Sequence, residues 1–248
     1  MTAYRVAMHV RPTTFDAWVL DLPGCRTIGR NRDESMALVP VVIAEYLTWL
    51  KSHGANVDPD GEAEFKVVEE VTSEHEFCFA ADGEPLTSED LDAVLRLTDY
   101  AAEDLLATYA RLPEVVRDWR PPESAVKIDN IYPDVRSIRE MMAHATGSAG
   151  FFVRNLGPAD AWLPPDPSTS DPDAVRRAAN ERLKDLSDDE LSEVFRRPDA
   201  RRGGHSEWSA RKVIRRVINH QRFHTKEIEQ RLAWLLVALP EVMPVSRE

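Results

Sequence analysis

The sequence predicts an α+β N-terminal domain followed by an all-α four-helix bundle, with the boundary at residue 82. Three observations carry this. Short alternating stretches rich in β-formers are confined to the N-terminal third, and apolar residues at three- and four-residue spacing fill most of the remainder. Between them lies the breaker cluster Asp82-Gly83-Glu84-Pro85. A chain of 248 residues, 43% hydrophobic and 30% charged, can bury two ordinary cores, here in residues 1–82 and 83–248.

Tyr4, Val6, Met8 and Val10 alternate along a first strand, and Phe15, Trp18 and Leu20 mark a second. Arg11-Pro12-Thr13-Thr14 joins them as an antiparallel hairpin. Asp21-Leu22-Pro23-Gly24-Cys25 then turns the chain into a short strand at 26–29. Asn31, with Glu34 three residues on, is an N-cap for a helix that reaches His53 and closes at Gly54; Pro40 inside it predicts a kink or a late start. Alternation returns at 64–71 and 76–80, where further strands are expected. Cys25, small and placed after a tight turn, reads as a buried residue rather than a reactive thiol.

The run Leu20-Asp21-Leu22-Pro23-Gly24-Cys25, followed by Gly29, an acidic helix start and a helix ending at Gly54, resembles the HicB-like fold. That fold is a small sheet with one helix, found in antitoxins of type II toxin pairs. The resemblance implies a protein partner for the N-terminal domain, and the separate DNA-binding segment of many HicB proteins is not evident here.

Beyond the boundary, Thr87-Ser88-Glu89-Asp90 caps a first long helix whose inner face is Leu91, Val94, Leu95, Thr98, Ala102, Leu105, Leu106 and Tyr109. A second helix starts near Asp134 or Ser137 and buries Ile138, Met141, Ala145, Ser148, Phe152 and Leu156, with His144 at the margin of that face. Residues 156–171, rich in Pro, Asp and Ser, form a loop or a lid, in which Trp162 and Leu163 either anchor the segment or cover a pocket. A third helix is expected at 173–185, a short one from the capping box Ser187-Asp188-Asp189-Glu190 through Phe195, a loop at 196–207, and a last long helix at 208–236.

The last helix has one face made of Ala210, Val213, Val217, His220, His224, Ile228, Arg231 and Leu235. Two imidazoles one turn apart stand where apolar side chains belong. They read either as hydrogen-bonded core histidines or as ligands that one metal ion can bridge. In a bundle, His144 on a facing helix supplies a third nitrogen, and three ligands leave a fourth position open for water or substrate. Three imidazoles suit zinc, nickel and iron alike. Glu140, Asn219 and Glu227 share the register needed to hydrogen-bond a ligand or substrate. His9, His53, His75 and His205 read as ordinary core or surface residues.

Ser137-Ile138-Arg139-Glu140-Met141-Met142-Ala143-His144, together with Trp208-Ser209-Ala210-Arg211-Lys212-Val213-Ile214-Arg215-Arg216 leading to His220 and His224, resembles the DinB-like four-helix bundle. The resemblance implies that His144, His220 and His224 bind a divalent metal. It also implies a superfamily in which some members use a low-molecular-weight thiol, such as mycothiol or bacillithiol, as cosubstrate for S-transfer or isomerisation. Gln221 stands directly after His220, where many relatives carry an acidic residue.

A net charge of -12 disfavours a nucleic-acid partner. The basic cluster Arg196, Arg197, Arg201, Arg202, Arg211, Lys212, Arg215 and Arg216 is locally strong enough to touch an anionic ligand, but such a cluster more often is a solvated face or a set of surface ion pairs. Arg201, Arg202 and Arg211 are candidates to receive the carboxylate or sugar portion of a thiol cosubstrate. Two cysteines, Cys25 and Cys78, give no disulfide framework, and the N-terminus lacks a signal-peptide pattern, so a cytoplasmic protein without a membrane span is expected. A homodimer is compatible with the sequence. The functional expectation is a divalent-metal-dependent enzyme acting on a small molecule by thiol-dependent S-transferase-like chemistry, with a non-catalytic regulatory or partner-binding protein as the alternative.

Overall fold

A computed structural model describes residues 2–120, 136–158, 162–166, 171–199 and 203–238. Strands β1 (Thr2–Val10), β2 (Phe15–Val19), β3 (Arg26–Gly29) and β4 (Ala63–Thr72) form one sheet in the order β3-β2-β1-β4. The first three strands are an antiparallel meander, and β4 lies parallel to β1. A parallel neighbour needs a long crossover. Here it runs through α1 (Arg32–Ala37) and α2 (Val39–Ser52). The break that Pro40 foretold is real: Leu38 separates the two helices, and Pro40 sits in the first turn of α2, where its missing N–H leaves nothing unsatisfied.

Side chains alternate across a sheet, so each strand writes two faces. Tyr4, Val6, Met8, Ala17 and Val19 pack on Val39, Ile43, Tyr46 and Leu47 of α2, with Cys25 buried among them. The opposite face carries Ala7, His9, Asp16 and Trp18, and cross-strand register puts Arg26 beside Trp18 and Ile28 beside Asp16. This second face meets the helical region rather than solvent. The expected strand at 76–80 does not form. Instead the Glu76 carbonyl accepts from the Glu207 N–H at 2.8 Å, Phe79 is buried beside Trp18, and a 3₁₀ turn spans Ala80–Gly83.

The C-terminal region is helical: α3 (Ser88–Ala110), α4 (Glu114–Arg117), α5 (Ile138–Val153), α6 (Pro172–Lys184), α7 (Asp188–Ser192) and α8 (Ala210–Ala238). The capping signals work as read, with Thr87 accepting from the Asp90 N–H and full capping boxes at Ser137/Glu140 and Ser187/Glu190. α3 and α5 both pack on α8, and α6 covers α5. The short helix stops at Ser192 rather than Phe195, and 196–207 is not a loop throughout. A hairpin of β5 (Phe195–Pro198) and β6 (His205–Trp208) occupies it, its turn resting on Gly203 and Gly204 at φ 73 and 67. Among the described residues, no helix is long and apolar enough to cross a membrane.

The basic stripe of α8 is where the chain departs most from its sequence reading. Lys212 and Arg215 are buried, not solvated. Arg215 makes a two-pronged pair with Asp82 at 2.7 and 2.6 Å, its guanidinium 4.4 Å from the Trp18 ring centre and 5.0 Å from that of Phe79. Lys212 donates to the Glu207 carbonyl at 2.6 Å and lies 3.3 Å from Glu76. Its burial lowers its pKa to about 8. Burial alone would raise Glu76, but the Arg216, Lys212 and Arg11 cations outweigh it and hold the carboxyl well below its usual range.

Gly24 completes the seam. It has φ 87, and a Cβ there would stand 2.6 Å from Ile218 Cγ2, while its carbonyl accepts from Asn219 Nδ2 at 3.1 Å. Both the left-handed backbone and the close approach of α8 therefore require glycine. Gly24→Ala is expected to cost about 1–3 kcal/mol from combined backbone strain and overpacking. Thermal melts of the two proteins check this, with a lower Tm for the variant.

Candidate metal centre

α5 and α8 run antiparallel, as their shared apolar clusters show. Phe152 and Val153 near the end of α5 pack with Val213 and Val217 early in α8, and Ile138 and Met141 at the start of α5 pack with Ile228 and Leu235 late in α8. Between these two apolar clusters lies a layer of imidazoles. His144 comes from α5, and His220 and His224 come from consecutive turns of α8. One ring nitrogen from each lies within 4.8 Å of the others, close enough for one small cation to be shared after side-chain adjustment. The ring centroids are 4.9, 5.3 and 4.5 Å apart, and every pair is edge-on.

His224 is buried, and its Nδ1 lies 2.9 Å from Glu227 Oε2. With Nδ1–H donating to that carboxylate, the Nε2 lone pair is free to act as donor atom. Glu227 is itself fixed by Arg231 at 3.3 Å, and Arg231 donates to the Arg136 carbonyl at 2.5 Å. His220 Nδ1 is buried without a hydrogen-bond partner among the described residues, an arrangement that a native interior rarely leaves unexplained. Burial, reinforced by repulsion from His224 and His144, drives the His220 pKa well below its ordinary value. The ring is therefore neutral at pH 7, the form that binds metals. Three converging ring nitrogens, one oriented by a carboxylate and one on a ring with an orphaned atom, fit a divalent cation.

The histidines open onto a cavity of about 280 Å³. Of the residues expected beside them, Asn219 and Glu227 line it. Glu140 does not: it caps its own helix and pairs with Arg120. Arg211 lies elsewhere, donating to the Glu84 and Pro85 carbonyls, and Arg201 and Arg202 fall outside the described residues. Trp162 packs against the helical core while Leu163 is exposed, so the first anchors its segment. His9 hydrogen-bonds the Ser73 carbonyl at 2.8 Å, His53 stacks on Tyr100 and lies 3.1 Å from Asp104, His75 approaches Asp199 at 3.5 Å, and His205 is exposed on β6.

Arg11, Arg26 and Arg136 were missed as cavity residues, and Arg216 was named only as part of the basic cluster. The sequence held a signal for two of the four. Arg216 is one turn before His220 on the same stripe, and Arg26 shares a sheet face with Trp18.

All three histidines fall within residues 97–228, the segment matched by the family model of the DinB superfamily. The chain belongs to the DinB superfamily. The match begins inside α3 and ends at Ile228, so the sheet lies outside it. No curated protein and no solved structure matches the chain. DinB membership and the triad geometry agree in pointing to a metal-binding protein.

His9, on the sheet beside Arg11, offers a separate pH test. Burial, and next the Arg11 cation, lower its pKa from 6.5 to about 4. Between those values the unfolded chain binds a proton that the folded chain refuses, so stability is lost as pH falls. Denaturant melts of metal-free protein should show stability dropping below pH 6.5 at up to about 1.4 kcal/mol per pH unit from this residue. His9→Gln should flatten that slope between pH 6.5 and 5.

Proposed function

We propose that this chain is a divalent-metal protein of the DinB type in which His144, His220 and His224 hold the ion on a four-helix bundle of residues 83–248. The observation that carries the reading is the layer of three converging imidazoles at the head of a cavity, inside the segment that matches the family. The set of three nitrogens suits zinc, nickel or iron. A dication held there would supply Lewis acidity and lower the pKa of a thiol or water at its remaining position.

The chain's own residues do the rest. Glu227 takes the Nδ1 proton of His224 in a hydrogen bond, fixing the tautomer and raising the basicity of the ring. Met141, Met142, Ala145 and Ile228 exclude water from the far side of the layer. Asn219 Oδ1 faces Arg26 at 3.4 Å and orients that guanidinium along the cavity wall. Such a site suits thiol-dependent S-transferase-like chemistry on a small electrophile. A cytoplasmic setting is in keeping with both thiols being unpaired, and burial pushes Cys25 up to about 12, which makes it inert.

For residues 1–82 we infer a HicB-like domain. A small sheet with a helical layer on one face supports it, and a protein partner or a second copy of the chain is then the expected associate.

Metal analysis of the purified chain tests the reading. About one divalent ion per chain is expected, absent from a His220→Ala, His224→Ala double variant of unchanged helicity. No metal in the wild type, or the same metal in the variant, rules the site out. Glu227→Gln should retain the metal with affinity reduced about 10–100-fold, read by chelator competition. If the loaded protein neither binds nor transfers any low-molecular-weight thiol to a model electrophile, the S-transferase reading fails and the metal site stands.

A further inference from the structure

The cavity in front of the histidines is a cationic, two-sided pocket in a chain of net charge -12. Arg216 reaches it from α8, Arg136 from the residue before the Ser137 cap, and Arg26 and Arg11 from the sheet. Glu227, the carboxylate on the wall, is engaged by His224 and Arg231. Asp16 and Glu76 stand behind the wall. Asp16 lies 3.0 Å from Arg26 and 3.8 Å from Arg11, and Glu76 lies 3.2 Å from Arg11, 3.4 Å from Arg216 and 3.3 Å from Lys212. Four cations thus gather on two carboxylates, and the Nε of both Arg26 and Arg216 has no acceptor among the described residues. A shared carboxylate leaves each guanidinium with donors to spare, and a planar fork is matched best by an oxyanion.

The rest of the wall is apolar. Ile28 continues the sheet face from Arg26, and Phe223, 39% exposed, projects from α8 into the same cavity. An inorganic ion would use the arginines and leave this surface wet. A ligand with an anionic head and an apolar body would use both.

We propose that the pocket binds a small organic anion, its carboxylate or phosphate group held by Arg11, Arg26 and Arg216 and its apolar part against Ile28 and Phe223. The N-terminal sheet is then one wall of the ligand site, and its register sets which anion fits. That this ligand is a substrate rests on the metal reading above; the anion site itself does not.

Isothermal titration calorimetry on the full chain tests this with phenylacetate, phenyl phosphate and the neutral phenylacetamide, in the metal-loaded protein and in the His220→Ala, His224→Ala variant. At least one anion should bind tenfold or more tighter than the amide in both proteins, and the tighter of the two identifies the head group. Arg11→Gln, and the paired replacement Asp16→Asn with Arg26→Gln that leaves no lone buried carboxylate, should each weaken the anion tenfold or more with amide binding unchanged. Circular dichroism checks that both remain folded, and the anion-to-amide comparison in the wild type stands without them. The inference is overturned if the anions bind no tighter than the amide, if their advantage vanishes in the histidine variant, or if folded arginine variants bind as the wild type does. Metal present without anion selectivity removes this inference alone, and anion selectivity without metal removes only the metal reading.

Discussion

The structure depends on burying the basic stripe of α8 against the second face of the sheet. An unpaired guanidinium or ammonium in an interior is costly, and losing one partner of a buried pair costs several kcal/mol. Arg215 is therefore workable only because Asp82 meets it with both oxygens, and Lys212 and Arg216 only because Glu76 lies between them. Trp18 and Phe79 close over Arg215 from the sheet side. These pairings fix the rotation of α8 about its axis. Arg216 lies one turn before His220 on the same stripe, so fixing Arg215 and Arg216 at the sheet carries His220 and His224 to α5 and the cavity.

The helical core bears the mark of that site. A bundle built only for stability would run its apolar seam without a break. Here the seam between α5 and α8 is interrupted, with one apolar cluster around Phe152 and Val217 and another around Met141 and Ile228. Three buried or half-buried imidazoles fill the gap, one held neutral by burial and one tied to a carboxylate. Polar groups in such a place are stabilised by what they bind, which is why the layer and the cavity are best understood together.

Much of this was legible in the sequence because it was local. Helix starts followed from Thr87, Ser137 and Ser187, whose caps involve residues three positions on. The break at Pro40 and the convergence of His144 with His220 and His224 followed from ring geometry and helical spacing. What was not legible was non-local. Residues 76–80 have the alternation of a strand, yet their backbone is engaged by Glu207, far along the chain. Lys212 and Arg215 look solvated until the N-terminal region, more than a hundred residues earlier, supplies Trp18 from the sheet and Glu76 and Asp82 from the segment after it. Arg26 joins the cavity only because Gly24 lets the sheet approach α8 closely, a contact no periodicity encodes.

On this reading the sheet-oriented α8 and α5 bring three imidazoles to one cation. Anomalous diffraction from crystals of the metal-loaded chain, collected on either side of the absorption edge of the metal it carries, tests this directly. One peak is expected, bonded to nitrogens of His144, His220 and His224 and open towards the cavity that Arg26 and Arg216 line. A peak bonded to other residues, or a metal-loaded crystal with no peak among these three rings, would contradict it.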